Sequence, residues 1–311
     1  MISAIIPVRN KARFVERCIG SVITASHHRA DCEVIVVENG STDGTALQVD
    51  ALFASQARVI HSAATTVAMA RNEGAKIARG NILCFLDADV VVPADFFVRV
   101  DQVFRLPVAA AGCTVALPET GWISRTWGQL HDRGVANLTS LINSADCCVR
   151  VEPFWQVGGF DETLVTGEDA DLCLRLLEAG HELLETPALQ VLHLDNPETL
   201  AAFARKEVWH GLGAAATVRA NRVDRPFVMT LAHGLLLAVG LLVLALNRFS
   251  PGSWLFALAS WFAVPLVAVQ YRWVLARRPP GLLPALVLYQ VYFVGRLWAL
   301  LLALAGKGRS A

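Results

Sequence analysis

Along the first hundred residues, apolar runs of strand length alternate with longer stretches whose apolar positions recur every three or four residues. The runs fall at 4–8, 34–37, 58–61 and 82–86, and the helical patterns between them at 12–25, 45–54 and 67–79. Short apolar strands alternating with helices predict βαβ units and a mainly parallel sheet. Ligands of such sheets bind beyond the carboxyl ends of the strands. The residues standing there are polar: Arg9-Asn10, Glu38-Asn39-Gly40-Ser41 and Asp87-Ala88-Asp89.

The middle of the chain predicts a strand at 109–117, a helix at 122–134, a strand at 145–151 and a turn at Gly158-Gly159-Phe160. Residues 168–179 form a helical pattern with Leu172, Leu176 and Ala179 on one face and Gly180 at its C-cap. Residues 183–184 and 189–194 predict a closing hairpin or edge pair, and 200–222 a helix.

The pattern then changes character. Segments 227–246 and 252–270 carry no charged residue, and 281–305 carries only Arg296. Each is long enough to cross a bilayer, about 20 residues being needed. Buried core helices are the alternative, but runs of this length exceed ordinary core helices.

Charge divides the chain at the same place. The formal net charge is zero, yet from Pro226 onward there are seven basic residues and no Asp or Glu. All 27 acidic residues and 20 basic ones lie in 1–225. An acidic polar part followed by an apolar basic part predicts a domain at 1–225 and a membrane domain at 226–311. It excludes a nucleic-acid binder, which would carry a basic face on its polar part. Arg219, Arg222, Arg225, Arg272, Arg277 and Arg278 flank the apolar segments on one side, and the first loop between them holds only Arg248. The positive-inside bias then places the N-terminal domain in the cytoplasm, while Lys307 and Arg309 in the tail run against it.

The seven cysteines are odd in number, show no Cys-x-x-Cys pair and lie mostly in apolar runs. That predicts reduced, buried thiols rather than a disulfide framework or a zinc site. The apolar run 2–8 stops at Arg9, too short for a secretory signal.

Asp87-Ala88-Asp89 ends a fully apolar strand. Two carboxylates one residue apart can share a hard divalent cation and nucleotide oxygens, although acidic pairs at strand ends are often only solvated turns. The surroundings decide. In order along the chain stand Ile5-Ile6-Pro7-Val8-Arg9-Asn10, Val36-Val37-Glu38-Asn39-Gly40-Ser41-Thr42-Asp43-Gly44-Thr45, Ala70-Arg71-Asn72-Glu73-Gly74 and Leu86-Asp87-Ala88-Asp89. Gly158-Gly159-Phe160-Asp161-Glu162 and Gly167-Glu168-Asp169-Ala170-Asp171 follow. This series closely resembles the family 2 glycosyltransferases over about residues 1–195.

The resemblance implies a GT-A fold, an α/β domain with a Rossmann-like, mainly parallel mixed sheet, here followed by transmembrane helices. It implies a nucleotide-sugar half at about 1–116 and an acceptor and catalytic half at about 117–225. It also implies an inverting transfer from a nucleoside-diphosphate sugar, UDP or dTDP favoured, to a lipid or lipid-linked acceptor at the cytoplasmic membrane face, with Mg²⁺ or Mn²⁺. Pro7 and Arg9 would line the base pocket. Glu38, where the family usually has Asp, would accept the N3–H of uracil or thymine, or cap the Gly40–Thr45 turn, or both. Arg71 would meet the nucleotide or its diphosphate, or stand as a surface helix residue. Asp87 would lie near the ribose, and Asp89 would hold the metal. His193 would complete the metal site or touch the diphosphate, or be structural.

Asp169 is the candidate general base, since inversion requires one carboxylate to take the acceptor proton. Were this helix to stand alone, a favourable acidic pair in its first turn would be the better account of Glu168-Asp169. Residues 205–209 read Arg-Lys-Glu-Val-Trp. They lack the Gln-x-x-Arg-Trp sequence of processive family members, which weakens a polysaccharide synthase. Trp209 is then an acceptor platform or an interfacial anchor. An inactive nucleotide-binding membrane scaffold is the remaining alternative, opposed by intact Asp87, Asp89 and Asp169.

Overall fold

The computed structural model describes residues 1–28, 31–219 and 225–305. The N-terminal half reads β1 (Ile2–Val8), α1 (Val15–His27), β2 (Cys32–Glu38), α2 (Thr45–Phe53), β3 (Arg58–His61), α3 (Val67–Ile77), β4 (Ile82–Leu86), β5 (Val90–Val91), α4 (Phe96–Val103) and β6 (Ala110–Gly112). Then come α5 (Trp122–His131), β7 (Asn137–Leu138), β8 (Asp146–Arg150), α6 (Val151–Gln156), α7 (Glu168–Glu178), β9 (Leu183–Glu185) and β10 (Leu192–His193). Four long helices follow: α8 (Leu200–Arg219), α9 (Arg225–Leu246), α10 (Pro251–Leu275) and α11 (Leu282–Leu304).

Among the described residues, eight strands form one sheet in the order β3-β2-β1-β4-β8-β6-β9-β7. β1 is parallel to β2 and β4, and β2 to β3, whereas β8 runs antiparallel to both β4 and β6. All of β1 and β4 is buried because helices cover both faces, which is why these strands do not alternate and, apart from the hydrogen-bonded Ser3, are apolar. One face packs Ile2, Ala4 and Ile6 against Val15, Ile19 and Val22 of α1 and Phe96, Phe97 and Val100 of α4. The other packs Ile5, Leu83 and Phe85 against Ala68 and Ala75 of α3, Phe154 of α6, and Leu172 and Leu176 of α7. Gly74 permits the close approach of α3: a Cβ there would stand 2.5 Å from Cγ2 of Ile5.

Two expectations fail locally. The strand predicted at 109–117 stops at Gly112, because the Cys113 N–H turns away to Oδ2 of Asp146 at 2.9 Å. Residues 183–184 and 189–194 do not pair with each other. β9 joins β6 and β7, while β10 pairs antiparallel with β5 in a separate ribbon. A 3₁₀ turn at Pro187–Leu189, capped by Thr186, separates them.

Packing divides the chain into two compact units, Met1–Pro118 with Gly134–Asn196, and Glu119–Arg133 with Pro197–Ala311. This division differs from a single cut at 225. α5 buries an apolar stripe, and α8 buries Phe203, Glu207 and Gly211, with the long helices of their own unit. Ile123, Leu130, Phe203, Val269, Leu288, Tyr289 and Phe293 form that core. Gly295 and Gly211 bring α11 and α8 together: a Cβ on Gly211 would lie 2.7 Å from Cβ of Ala299. Arg296, the charge inside the third apolar segment, pairs with the buried Glu207 of α8 (3.2 Å) and lies over the ring of Tyr292.

Among the described residues, three helices are long and apolar enough to cross a membrane: Arg225–Leu246, Pro251–Leu275 and Leu282–Leu304, with mean hydropathy of 2.4, 1.7 and 1.7. They agree with the segments expected from sequence, except that α10 runs past Gln270 to Leu275. Its hydrogen bonds continue through Arg272, a charge that ends an apolar run without ending a helix. Leu235, Leu255, Val267 and Leu283 are exposed on these helices, an arrangement suited to lipid. Arg222, Lys307 and Arg309 lie outside the described residues.

Candidate active site

Chemistry-bearing side chains gather at the carboxyl ends of β1, β2 and β4, where the turns leave the sheet. Pro7 is buried in β1 opposite Val37, and Arg9, just beyond, is exposed. Asn10 takes a left-handed backbone (φ 52°), and its Oδ1 accepts from the Thr42 N–H at 2.8 Å, joining the turns after β1 and β2. The Glu38 carboxylate accepts from the N–H groups of Ser41 (2.7 Å) and Gly40 (3.3 Å), with Nδ1 of His61 at 3.4 Å. Burial raises its pKa, but these donors outweigh that and hold it below the usual value. Glu38 therefore caps its turn, and the carboxylate stays ionised as an acceptor.

After β4 the chain turns at once, its Asp87 N–H donating to the carbonyl of Ala145. One ligand atom each from Asp87, Asp89 and His193 lies within 4.8 Å of the others. β5 and β10 make that cluster: residue 193 pairs with residue 90, so the imidazole returns beside the acidic triplet. Asp89 is buried; its Oδ1 has no hydrogen-bond partner and lies 3.5 Å from Nε2 of His193. Two hard carboxylates, one imidazole and an orphaned buried oxygen fit a divalent cation such as Mg²⁺ or Mn²⁺.

Sequence reasoning missed Lys11. Its Nζ lies 2.6 Å from Oδ2 of Asp89 and 2.7 Å from Oδ2 of Asp195. Burial would lower the ammonium pKa, but the two carboxylates raise it overall. Its backbone N–H is anchored on Oγ1 of Thr45 at 2.9 Å. The signal was a lone Lys in the turn after β1, and only the fold brings residue 89 to it.

Arg71 does not stand on the surface of α3. It is 2% exposed, with Nη2 donating to Oδ1 of Asp87 (2.7 Å) and Nη1 to Oε1 of Glu168 (2.6 Å). Its neighbour Asn72 grips the backbone of Phe160 in both directions, at 2.9 and 3.0 Å. The Ala70–Gly74 and Gly158–Glu162 motifs are thus one structural joint. Gly167, with φ 83°, opens α7 and presents Glu168 and Asp169 at its N-terminus. Asp169 accepts from its neighbour Ala170 N–H (2.8 Å) and from Ser144 N–H (3.3 Å). Burial, then the Glu168 carboxylate, raises its pKa to about 6, with Arg71 opposing. A carboxylate poised there can take a proton near neutral pH.

Residues 3–150 match the family model described as "Glycosyl transferase family 2". The "Pre-mycofactocin glycosyltransferase" of Mycobacterium tuberculosis is 29% identical over 252 residues, covering 76% of this chain and 51% of that protein. "Glycosyltransferase AglE" of Haloferax volcanii is 28% identical over 240 residues, covering 74% of this chain and 78% of that one. The chain thus spans about half the length of the mycobacterial relative. A solved "Mannosyltransferase PcManGT from Pyrobaculum calidifontis in complex with GDP-Man and Mn2+" superposes with a TM-score of 0.61. It shares 18% identity and covers 98% of this chain and 87% of its own. That likeness is one of fold, and the core is of the GT-A type.

Proposed function

This chain belongs to the family 2 glycosyltransferases, and we propose that it moves a sugar, with inversion, from a nucleoside-diphosphate sugar to a lipid or lipid-linked hydroxyl. UDP or dTDP is the favoured carrier, because an ionised Glu38 suits the single N3–H donor of uracil or thymine. The transfer takes place at the cytoplasmic face of the inner membrane, in keeping with the arginines flanking one end of the three apolar helices. Residues within 1–225 bind donor and acceptor, and 226–311, against which α5 and α8 pack, hold them to the bilayer.

One observation carries the reading: carboxylates of two kinds share one end of the sheet. Asp87 and Asp89 converge with His193 in a group that could hold a cation, while Asp169 stands apart with a raised pKa. Asp87, Asp89 and His193 would hold Mg²⁺ or Mn²⁺, which would neutralise charge on the diphosphate leaving group. Pro7, Arg9 and Glu38 would receive the base. Asp169 accepts the hydroxyl proton as the acceptor oxygen bonds to the anomeric carbon. The bond from that carbon to the diphosphate oxygen breaks, and the nucleoside diphosphate departs with its electron pair.

A screen of nucleotide-sugar hydrolysis with the detergent-solubilised full chain tests this, water replacing the acceptor. Metal-dependent release of UDP or dTDP from a matching sugar nucleotide is expected. Binding of nucleotide without turnover of any sugar would return the chain to the scaffold reading.

A further inference from the structure

Arg71 links the two carboxylate groups of the site. Its two Nη atoms are committed to carboxylates on different elements, Asp87 after β4 and Glu168 at the start of α7. It is also sealed from solvent, and its Nε has no hydrogen-bond partner. A guanidinium so placed has no free fork to offer a diphosphate. Its planar geometry does hold two carboxylates at fixed separation, which a lysine cannot do. Glu168 also accepts from Oγ of Ser144 at 3.3 Å, and the Ser144 N–H in turn donates to Asp169. A continuous set of bonds therefore runs from Asp87 through Arg71, Glu168 and Ser144 to Asp169.

We infer that Arg71 is a positioning residue: by gripping Asp87 and Glu168 in one fork, it fixes where the Asp169 carboxylate stands relative to the donor site. This rests on the reading of Asp169 as the base. The groups facing Asp169 are Glu168 and Cys173 on its own helix, Arg71 from α3, and Ser144 with Cys147 at β8. Of these, Arg71 carries the positive charge and Glu168 the negative one, so their removal has opposite consequences for the proton on Asp169. Removing a residue that only props up the fold would lower the rate equally at every pH.

The test is the pH dependence of hydrolysis of a UDP-sugar by the full chain in detergent, for wild type, Arg71→Gln, Arg71→Lys and Glu168→Gln. Arg71→Gln should move the acid limb to higher pH, by about one unit for loss of a nearby opposite charge. Glu168→Gln should move it to lower pH. Arg71→Lys should leave the limb near its original pH while lowering kcat about tenfold or more, because one ammonium replaces a two-point grip. Should Arg71→Gln fail to fold, Glu168→Gln and Arg71→Lys still decide, since an amide at 168 can accept from Nη1. Limbs that stay fixed in every folded variant, with Asp169→Asn inactive, overturn the positioning role alone. Wild-type turnover by Asp169→Asn overturns the base reading itself, and this inference with it.

Discussion

The ammonium of Lys11 lies 2.6 Å from the Asp89 carboxylate, so one candidate metal ligand already carries a cation from the chain itself. The same ammonium reaches Asp195, 2.7 Å away. A divalent ion arriving at Asp87, Asp89 and His193 meets that charge as a neighbour. Lys11→Met should therefore tighten binding of Mn²⁺ alone, in the absence of nucleotide. About tenfold is expected, or about 1.4 kcal/mol, after allowing for solvent screening of a partly exposed ammonium. Titration of Mn²⁺ followed by electron paramagnetic resonance reads this. Weaker binding in the variant would mean that Lys11 supports the site and does not compete with the ion.

Asp146 offers a prediction about stability. It is fully buried, and burial pushes its pKa well above the usual carboxylate value. The Cys113 N–H opposes this, while Asp87 and Glu185 add to it. The folded protein thus keeps a proton that the unfolded chain releases above its ordinary carboxylate pKa. Stability from this group is whole below that value and is lost as pH rises toward the folded pKa. Asn keeps the acceptor for Cys113 but has no proton to lose. The melting temperature of Asp146→Asn relative to wild type should rise as the pH is raised above the ordinary carboxylate value. A difference that stays constant with pH would show that Asp146 is ionised in the folded protein.

Truncation tests the division of the chain. Cutting after Arg225 removes α9, α10 and α11, the partners of Ile123, Leu130 and Phe203. Re-exposing such side chains costs about 1.5–3 kcal/mol each. The fragment 1–225 should accordingly aggregate or remain detergent-dependent on size-exclusion chromatography. A monodisperse fragment in plain buffer would show that α5 and α8 hold together without the apolar helices.

Much of this was legible in the sequence, and for physical reasons. β4 has the bounds read from its apolar run because a strand covered on both faces is apolar throughout, and β3, a partly exposed strand at the edge of the sheet, also keeps the bounds read for it. The three apolar segments became helices because length and hydropathy leave few alternatives. What escaped was decided by contacts between distant residues. Nothing near Lys11 announces Asp89, 78 positions on. The sequence implies that Arg71 meets the nucleotide or its diphosphate, or stands on the helix surface, and shows nothing of its bond to Glu168, 97 positions away. Cys113 and Asp146 cut β6 short through a side-chain bond that no periodicity encodes.

The central claim is that Asp169 draws the proton from an acceptor that attacks with inversion. With a pKa of about 6, the base is ionised above that pH, so the rate should fall about tenfold per pH unit below it. Asp169→Asn keeps the size of the side chain but cannot take the proton. It should lower kcat by about 10²–10⁴, or about 3–5 kcal/mol in the barrier, with UDP affinity little changed. The most direct measurement is the configuration of the product formed from a UDP-α-sugar with methanol as surrogate acceptor, read from the anomeric coupling by proton NMR. The methyl β-glycoside, lost in Asp169→Asn, is the predicted result; the methyl α-glycoside, or a β-product formed equally well by the variant, would contradict the account.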